Sequence, residues 1–258
     1  MKPPPGFQTN NKNTVCKLQR SLYGLKQARH QWYLKLSHFL KSNNYNTAAD
    51  HSLFLKHDGK TTTALLVYVD YIVLTRKNLE KINNIIALLH RNLSIKNLGD
   101  LTYFLGLEIT LNNIGIHLSQ RKYTMDLLEE IGMPVCAPSL TPMTYIVQLT
   151  IDKGNKLNEE EASSYRRLKG CLIYLTNTRL DISYSTNHLS QFIFSPTSVH
   201  YQAIMHVIRY LKVIPGACIC LHNNTTIQIK AYNNSNWASC PETRKYITRL
   251  CIYLGYIS

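Results

Sequence analysis

Residues 64–74 read ALLVYVDYIVL, an apolar and aromatic run interrupted by one carboxylate, Asp70. A run this short and this rich in β-branched and aromatic side chains is a strand signal. Burying an ionised carboxylate within it costs several kcal/mol or more unless a cation or good donors sit beside it. Two arrangements meet that constraint. Asp70 caps a hairpin tip and faces water, or it lies against a bound cation.

The surroundings extend the pattern. Residues 52–55 and 63–74 are expected strands, joined through the turn residues His57, Asp58, Gly59 and Lys60. Upstream, Leu22, Leu25, Trp32, Tyr33, Leu36, Phe39 and Leu40 recur at mostly helical spacing. Downstream, Leu79, Ile82, Ile86, Leu89 and Leu93 make one helical stripe. Gly99 breaks the chain, and 103–111 with 115–118 read as a second hairpin around Asn112 and Asn113. A helix is expected from about 120 to 131, with Gly132 placed to end it. Strand pair, helix, hairpin, helix is the order of an α+β domain with its helices on one side of an antiparallel sheet.

Residues 134–157 carry Pro134, Pro138 and Pro142 without a sustained period and read as a linker. Helical patterns follow near 158–176, 181–194 and 197–213. In the last, Ile204, Val207, Ile208 and Leu211 line one face, Thr197 is placed to cap it and Pro215-Gly216 to stop it. Strand patterns at 227–232 and 246–254 come last, and the first fifteen residues, with Pro3, Pro4 and Pro5, read as an extended lead-in.

Lys and Arg number 29 against 15 Asp and Glu, a net charge of +14. That surplus favours a polyanionic partner, because each neutralised phosphate releases counterions. A solvated basic surface is the alternative, so charge narrows the partner without naming an activity. The cysteines, at 16, 136, 171, 218, 220, 240 and 251, form no CxxC pair and no zinc-spaced Cys/His set. Cys218 and Cys220, two apart, are expected on one strand face as core, and reduced thiols in a cytosolic or nuclear setting are expected throughout. MKPPPGF lacks the apolar stretch of a signal peptide. No run approaches the ~20 apolar residues of a membrane span, so a soluble protein is expected.

YVDYIVL (68–74) resembles the YVDD hairpin of reverse transcriptases, with Tyr71 standing where the second Asp should be. KLQRSLYGLKQARHQWY (17–33) is similar to a segment written KLxxSLYGLKQAPRQWY in copia-type LTR retrotransposon Pol polyproteins. NLGDLTYFLGLEI (97–109), GIHLSQRKYTMDLL (115–128), TPM (141–143), YRRLKGCLIYLTNTRLDISYSTNHLSQF (165–192) and HYQAIMHVIRYLK (200–212) match the same polyprotein in order. The resemblance implies a reverse-transcriptase palm and fingers remnant over 1–143, a linker and helical thumb or tether over 144–216, and the first strands of an RNase H-like domain over 217–258.

In that family the palm uses three carboxylates to hold two Mg²⁺ ions, which activate the primer 3′-hydroxyl and steady the leaving pyrophosphate. Asp70 matches one of them. Tyr71 replaces another with a phenol, a poor Mg²⁺ ligand. The third belongs to a strand ahead of PPPGF and is expected to be absent. One carboxylate of three leaves Asp70 an incomplete metal site at which Mg²⁺ is not expected to be held stably.

By the same resemblance Gly24, Leu25, Lys26 and Gln27 support the template and the incoming nucleotide, with Arg29 in place of the family's proline. Tyr103, Phe104, Leu105 and Gly106 resemble the primer grip, where glycine would let the nucleic-acid backbone come close. Trp32 and Tyr33 are expected in the core, although aromatic residues also serve as stacking platforms for bases. Leu180 replaces the proline of TRPDIS, and Val213-Ile214 replaces Gly-Thr. Residues 229–255 resemble the opening of RNase H, usually GYSDADWAGD, with Asn234 and Asn236 in place of the two aspartates and Cys240 of the third. An amide oxygen cannot offset a dication as a carboxylate does. The leading expectation is a decayed, truncated and inactive polymerase remnant. The alternatives are a segment of an active polyprotein polymerase, and a non-catalytic protein binding an RNA or DNA primer–template.

Overall fold

The computed structural model describes residues 6, 15–17, 24–25, 27–59, 61–75, 78–133, 136–144, 149–223, 229–236 and 247–254. The chain divides into two compact units, Met1–Asp100 and Leu101–Ser258. Both mix helices with antiparallel strands, so the fold class is α+β.

In the first unit, helix α1 (Ala28–Ser42) precedes strands β1 (Asn46–Thr47), β2 (Leu53–Asp58), β3 (Thr61–Tyr68) and β4 (Tyr71–Thr75), and helix α2 (Leu79–Leu93) follows them. The strands form one antiparallel sheet in chain order. Helix α1 begins at Ala28, not near Leu22 as the periodicity predicts, because Gly24 sits at φ +90°, outside the helical region. Helix α2 spans its expected apolar stripe, of which Leu89 is buried, Leu93 packs against the core and Leu79 is 72% exposed. The Asn78 side chain accepts from the Lys81 N–H at 3.2 Å, and Ser94 ends the helix in the left-handed region at φ +51°.

Period-2 alternation assigns the sheet faces. Thr63, Leu65 and Val67 are buried, and cross-strand pairing puts Leu74 opposite Leu65 and Ile72 opposite Val67. Leu65, Val67, Ile72 and Leu74 join Leu36, Leu40, Tyr45, Phe54 and Leu89 in one core. Each fully buried Leu or Phe contributes about 1.5–3 kcal/mol. Trp32 and Tyr33 pack against that core, and the Tyr33 hydroxyl donates to the His51 carbonyl at 2.7 Å.

The second unit has a four-stranded antiparallel sheet: β5 (Tyr103–Phe104), β6 (Leu107–Leu111), β7 (Gly115–Ser119) and, arriving last, β8 (Cys218–His222). Between β7 and β8 run α3 (Arg121–Glu130), α4 (Glu159–Leu175), a 3-10 turn (Leu180–Ile182), α5 (Ser183–Ser190) and α6 (Ser198–Leu211). Strands β9 (Ile229–Asn236) and β10 (Ile247–Leu254) make a separate antiparallel pair. Among the described residues no helix is long and apolar enough to cross a membrane.

Three sequence expectations change here. The single strand over 103–111 is broken at Leu105 and Gly106, whose φ values of +49° and +80° give the sign pattern of a type I′ turn. Residues 218–222, expected to open the last segment, pair instead with β7, from Ser119↔Cys218 to Gly115↔His222. Cys218 and Cys220 do share a strand face, but Cys218 is exposed and Cys220 half-buried, because their neighbour across the ladder is the polar His117, with sulfur–nitrogen distances of 3.9 and 3.7 Å. Cys16, Cys136, Cys171, Cys218 and Cys220 are free thiols.

The helices enclose the second core. Tyr165, Leu168, Leu172 and Leu175 of α4 meet Leu189 of α5 and Ile204, Val207, Ile208 and Leu211 of α6. A capping box starts α4: the Asn158 side chain accepts from the Glu161 N–H at 2.8 Å, and the Glu161 carboxylate accepts from the Asn158 N–H at 3.1 Å. Thr197 opens α6 in a capping box with His200, whose Nδ1 accepts from the Thr197 N–H at 3.0 Å, and its hydroxyl donates to the Lys153 carbonyl at 2.6 Å, so part of the expected linker is stitched to this helix.

Gly115 has no room for a side chain. A Cβ there would overlap the Leu221 carbonyl oxygen and lie 3.0 Å from the His222 Cα. Gly115→Ala is therefore expected to cost about 1–3 kcal/mol by overpacking the β7–β8 ladder. Urea unfolding followed by circular dichroism measures this, and an unchanged midpoint would mean that β8 shifts without penalty.

Candidate nucleic-acid and metal site

Strands β3 and β4 close on the pair Tyr68↔Tyr71, which leaves Val69 and Asp70 as a two-residue loop. Val69 has φ +49° while Asp70 stays negative, the sign pattern of a type II′ turn, where glycine is the usual first central residue. A β-branched residue in that position costs on the order of 1–3 kcal/mol and persists because the ladder behind it fixes both strands. Asp70 is exposed at the tip. Tyr68 and Tyr71, 49% and 54% exposed, project from the face opposite the core residues Leu65, Val67, Ile72 and Leu74.

A two-metal centre needs several hard anionic oxygens converging on one point. Here a neutral phenol follows Asp70 directly. Among the described residues no group of three or more His, Cys, Asp or Glu is arranged to hold a metal ion. The residues at this tip do not fit a pair of divalent cations.

The other sequence-derived positions fall into separate groups. Gly24 and Gln27 are exposed beside the start of α1, and Lys26 lies outside the described residues. Tyr103, 54% exposed, and Gly106 belong to the β5–β6 hairpin of the second unit. Asn234 and Asn236 occupy β9, opposite Arg249 and Ile247. Their side chains, and Cys240, lie outside the described residues.

Two further clusters carry no local sequence signature. Arg179, 3% exposed, donates from Nε and Nη2 to the two oxygens of Asp181 at 3.0 and 2.7 Å, and from Nη1 to the Ile214 carbonyl at 2.8 Å. The Tyr210 hydroxyl donates to the same carboxylate at 2.8 Å. Burial pushes the Asp181 carboxyl up, but the bonds from Arg179 and Tyr210 outweigh it and hold the group below its usual range. The second cluster surrounds Tyr174, whose hydroxyl donates to the Leu105 carbonyl and whose ring meets Tyr123 edge-on, centroids 4.9 Å apart.

Residues 1–145 match the family described as reverse transcriptase (RNA-dependent DNA polymerase). The chain is 39% identical, over 99% of its length, to the retrovirus-related Pol polyprotein from transposon RE1 of Arabidopsis thaliana, and 38% identical over 99% to that from transposon RE2 of the same plant. It is 32% identical over 96% of its length to the retrovirus-related Pol polyprotein from transposon TNT 1-94 of Nicotiana tabacum. It spans 18%, 18% and 19% of the lengths of these three relatives. No solved structure matches the chain.

Proposed function

The chain belongs to the reverse transcriptase (RNA-dependent DNA polymerase) family, among copia-type retrotransposon Pol polyproteins, and from that premise we propose that it is a non-polymerising part of such a polyprotein that keeps contacts to an RNA or DNA primer–template. The observation that carries this reading is the pair Asp70 and Tyr71 at an exposed hairpin tip. Reverse transcriptases use divalent metal, and one carboxylate beside a phenol does not neutralise two dications. The substitutions at Asn234 and Asn236 extend the same loss to the RNase H-like segment.

In this reading residues 1–143 are palm and fingers, 144–216 the tether and thumb, and 217–258 the beginning of RNase H, with β8 set apart by its ladder to β7. Gly24, Lys26 and Gln27 lie along the template path, and Tyr103 and Gly106 at the primer end. The net charge of +14 supplies the phosphate affinity.

Primer extension on an RNA or DNA template, with Mg²⁺ or Mn²⁺, tests the reading. The chain is expected to incorporate no more nucleotide than its Asp70→Ala variant. Extension by the unaltered chain would establish the active-polymerase reading instead.

A further inference from the structure

The β5–β6 turn is held from one side by the protein itself. Leu105 takes a positive φ that bulky residues rarely adopt, and its carbonyl accepts from the Tyr174 hydroxyl of α4. Gly106 faces the same phenol: a Cβ there would overlap the hydroxyl oxygen and stand 3.2 Å from Cζ. The missing side chain at 106 is thus filled by Tyr174, not left open for a ligand backbone.

Tyr174 is itself fixed. The Gln120 amide donates to the Tyr174 carbonyl at 3.2 Å, and the Thr178 hydroxyl donates to the Gln120 amide oxygen at 2.7 Å. Gln120 and Thr178 are both buried. Tyr123 packs its ring edge on Tyr174, and burial followed by the neighbouring Cys171 pushes the Tyr123 phenol up, so it stays neutral. The Glu108 carboxylate accepts from the Lys122 N–H at 2.7 Å, which ties β6 to the start of α3. Opposite these ties, Tyr103 and Leu105 are 54% and 42% exposed.

We propose that Tyr174 is a positioning residue: its hydroxyl sets the Leu105–Gly106 turn so that Tyr103 and Leu105 present a preformed surface to the recessed 3′ end of a primer, linking helix α4 to the primer-end contact. The inference rests on the reading of Tyr103–Gly106 as the primer-end hairpin. A preformed turn lowers the ordering cost of binding an end, and a turn loosened from α4 does not.

Tyr174→Phe removes the hydroxyl and keeps the ring. Hydrogen–deuterium exchange on the full chain is expected to quicken about 2- to 10-fold at the 103–109 amides, the size of one net hydrogen bond, with α6 unchanged. In parallel, a fluorescent duplex with a recessed 3′ end is titrated against a blunt duplex of the same length. The unaltered chain is expected to prefer the recessed end. Tyr174→Phe is expected to reduce that preference by a similar factor at unchanged blunt-duplex affinity, a split that general unfolding would not produce. Unchanged exchange at 103–109 would overturn the latch. A normal latch with no recessed-end preference in the unaltered chain would overturn the primer-end reading and the role assigned to Tyr174.

Discussion

Asp181→Ala is expected to destabilise the second unit by about 3 kcal/mol, the low end for breaking a buried ion pair. The loss arises at Arg179, whose side chain is 4% exposed while that of Asp181 is 38% exposed. Without the carboxylate, the guanidinium keeps its bond to the Ile214 carbonyl and loses two others, and the Tyr210 hydroxyl loses its acceptor. The partial exposure of Asp181 screens the pair and sets the figure at the low end. Because the cost is an uncompensated cation, Arg179→Met combined with Asp181→Ala should recover most of it. Urea midpoints for the single and double variants decide the matter. A loss below about 1 kcal/mol for Asp181→Ala would class the pair with ordinary surface bridges. The pH dependence carries the same signature. A carboxyl held below its unfolded value stabilises fully above about pH 4, and that contribution disappears as pH falls through the folded value. Asp181→Ala should flatten this acid limb.

Affinity for a labelled primer–template is expected to fall about 100- to 500-fold between roughly 50 and 200 mM salt. The range assumes that about 5 phosphates are neutralised, which gives a log–log slope near −3.5 for single strands and −4.5 for duplex. Scrambling the template sequence should change little, because backbone contacts position a strand without reading it. Circular dichroism on the same samples separates a folded binder from an unfolded polycation. A chain that ignores nucleic acid at 50 mM salt would remove the binding half of the proposal and leave the inactive polymerase remnant.

Helices with local punctuation were legible in the sequence. Thr197 stands before α6 and Pro215-Gly216 after it, and the face Ile204, Val207, Ile208, Leu211 is buried as its spacing predicts. Asp70 was legible only as two alternatives, a hairpin tip facing water or a bound cation, and the turn that divides the expected 63–74 strand was not. What escaped was decided by distant partners. Nothing local marks Leu105 for a positive φ, a conformation held by a hydroxyl on α4. The pairing of 218–222 with 115–119 depends on the whole helical layer between them, and the Arg179–Asp181 lock closes on Tyr210 of another helix. At Gly106 a Cβ would meet the Tyr174 hydroxyl, a constraint set by a residue far along the chain that local spacing does not announce.

The late arrival of β8 also sets an order of events during synthesis. Strand β7 is made early, yet its partner follows only after residues 120–217 have left the ribosome. Doubling such a loop adds only about 0.6 kcal/mol to its closure, so the delay is a matter of time and not of final stability. Throughout that interval β7 offers a row of unsatisfied peptide groups, the kind of border along which separate nascent chains join. A chain interrupted between α6 and β8 would keep its helical core and still carry this open border. Its characteristic failure would be self-association of a largely folded molecule.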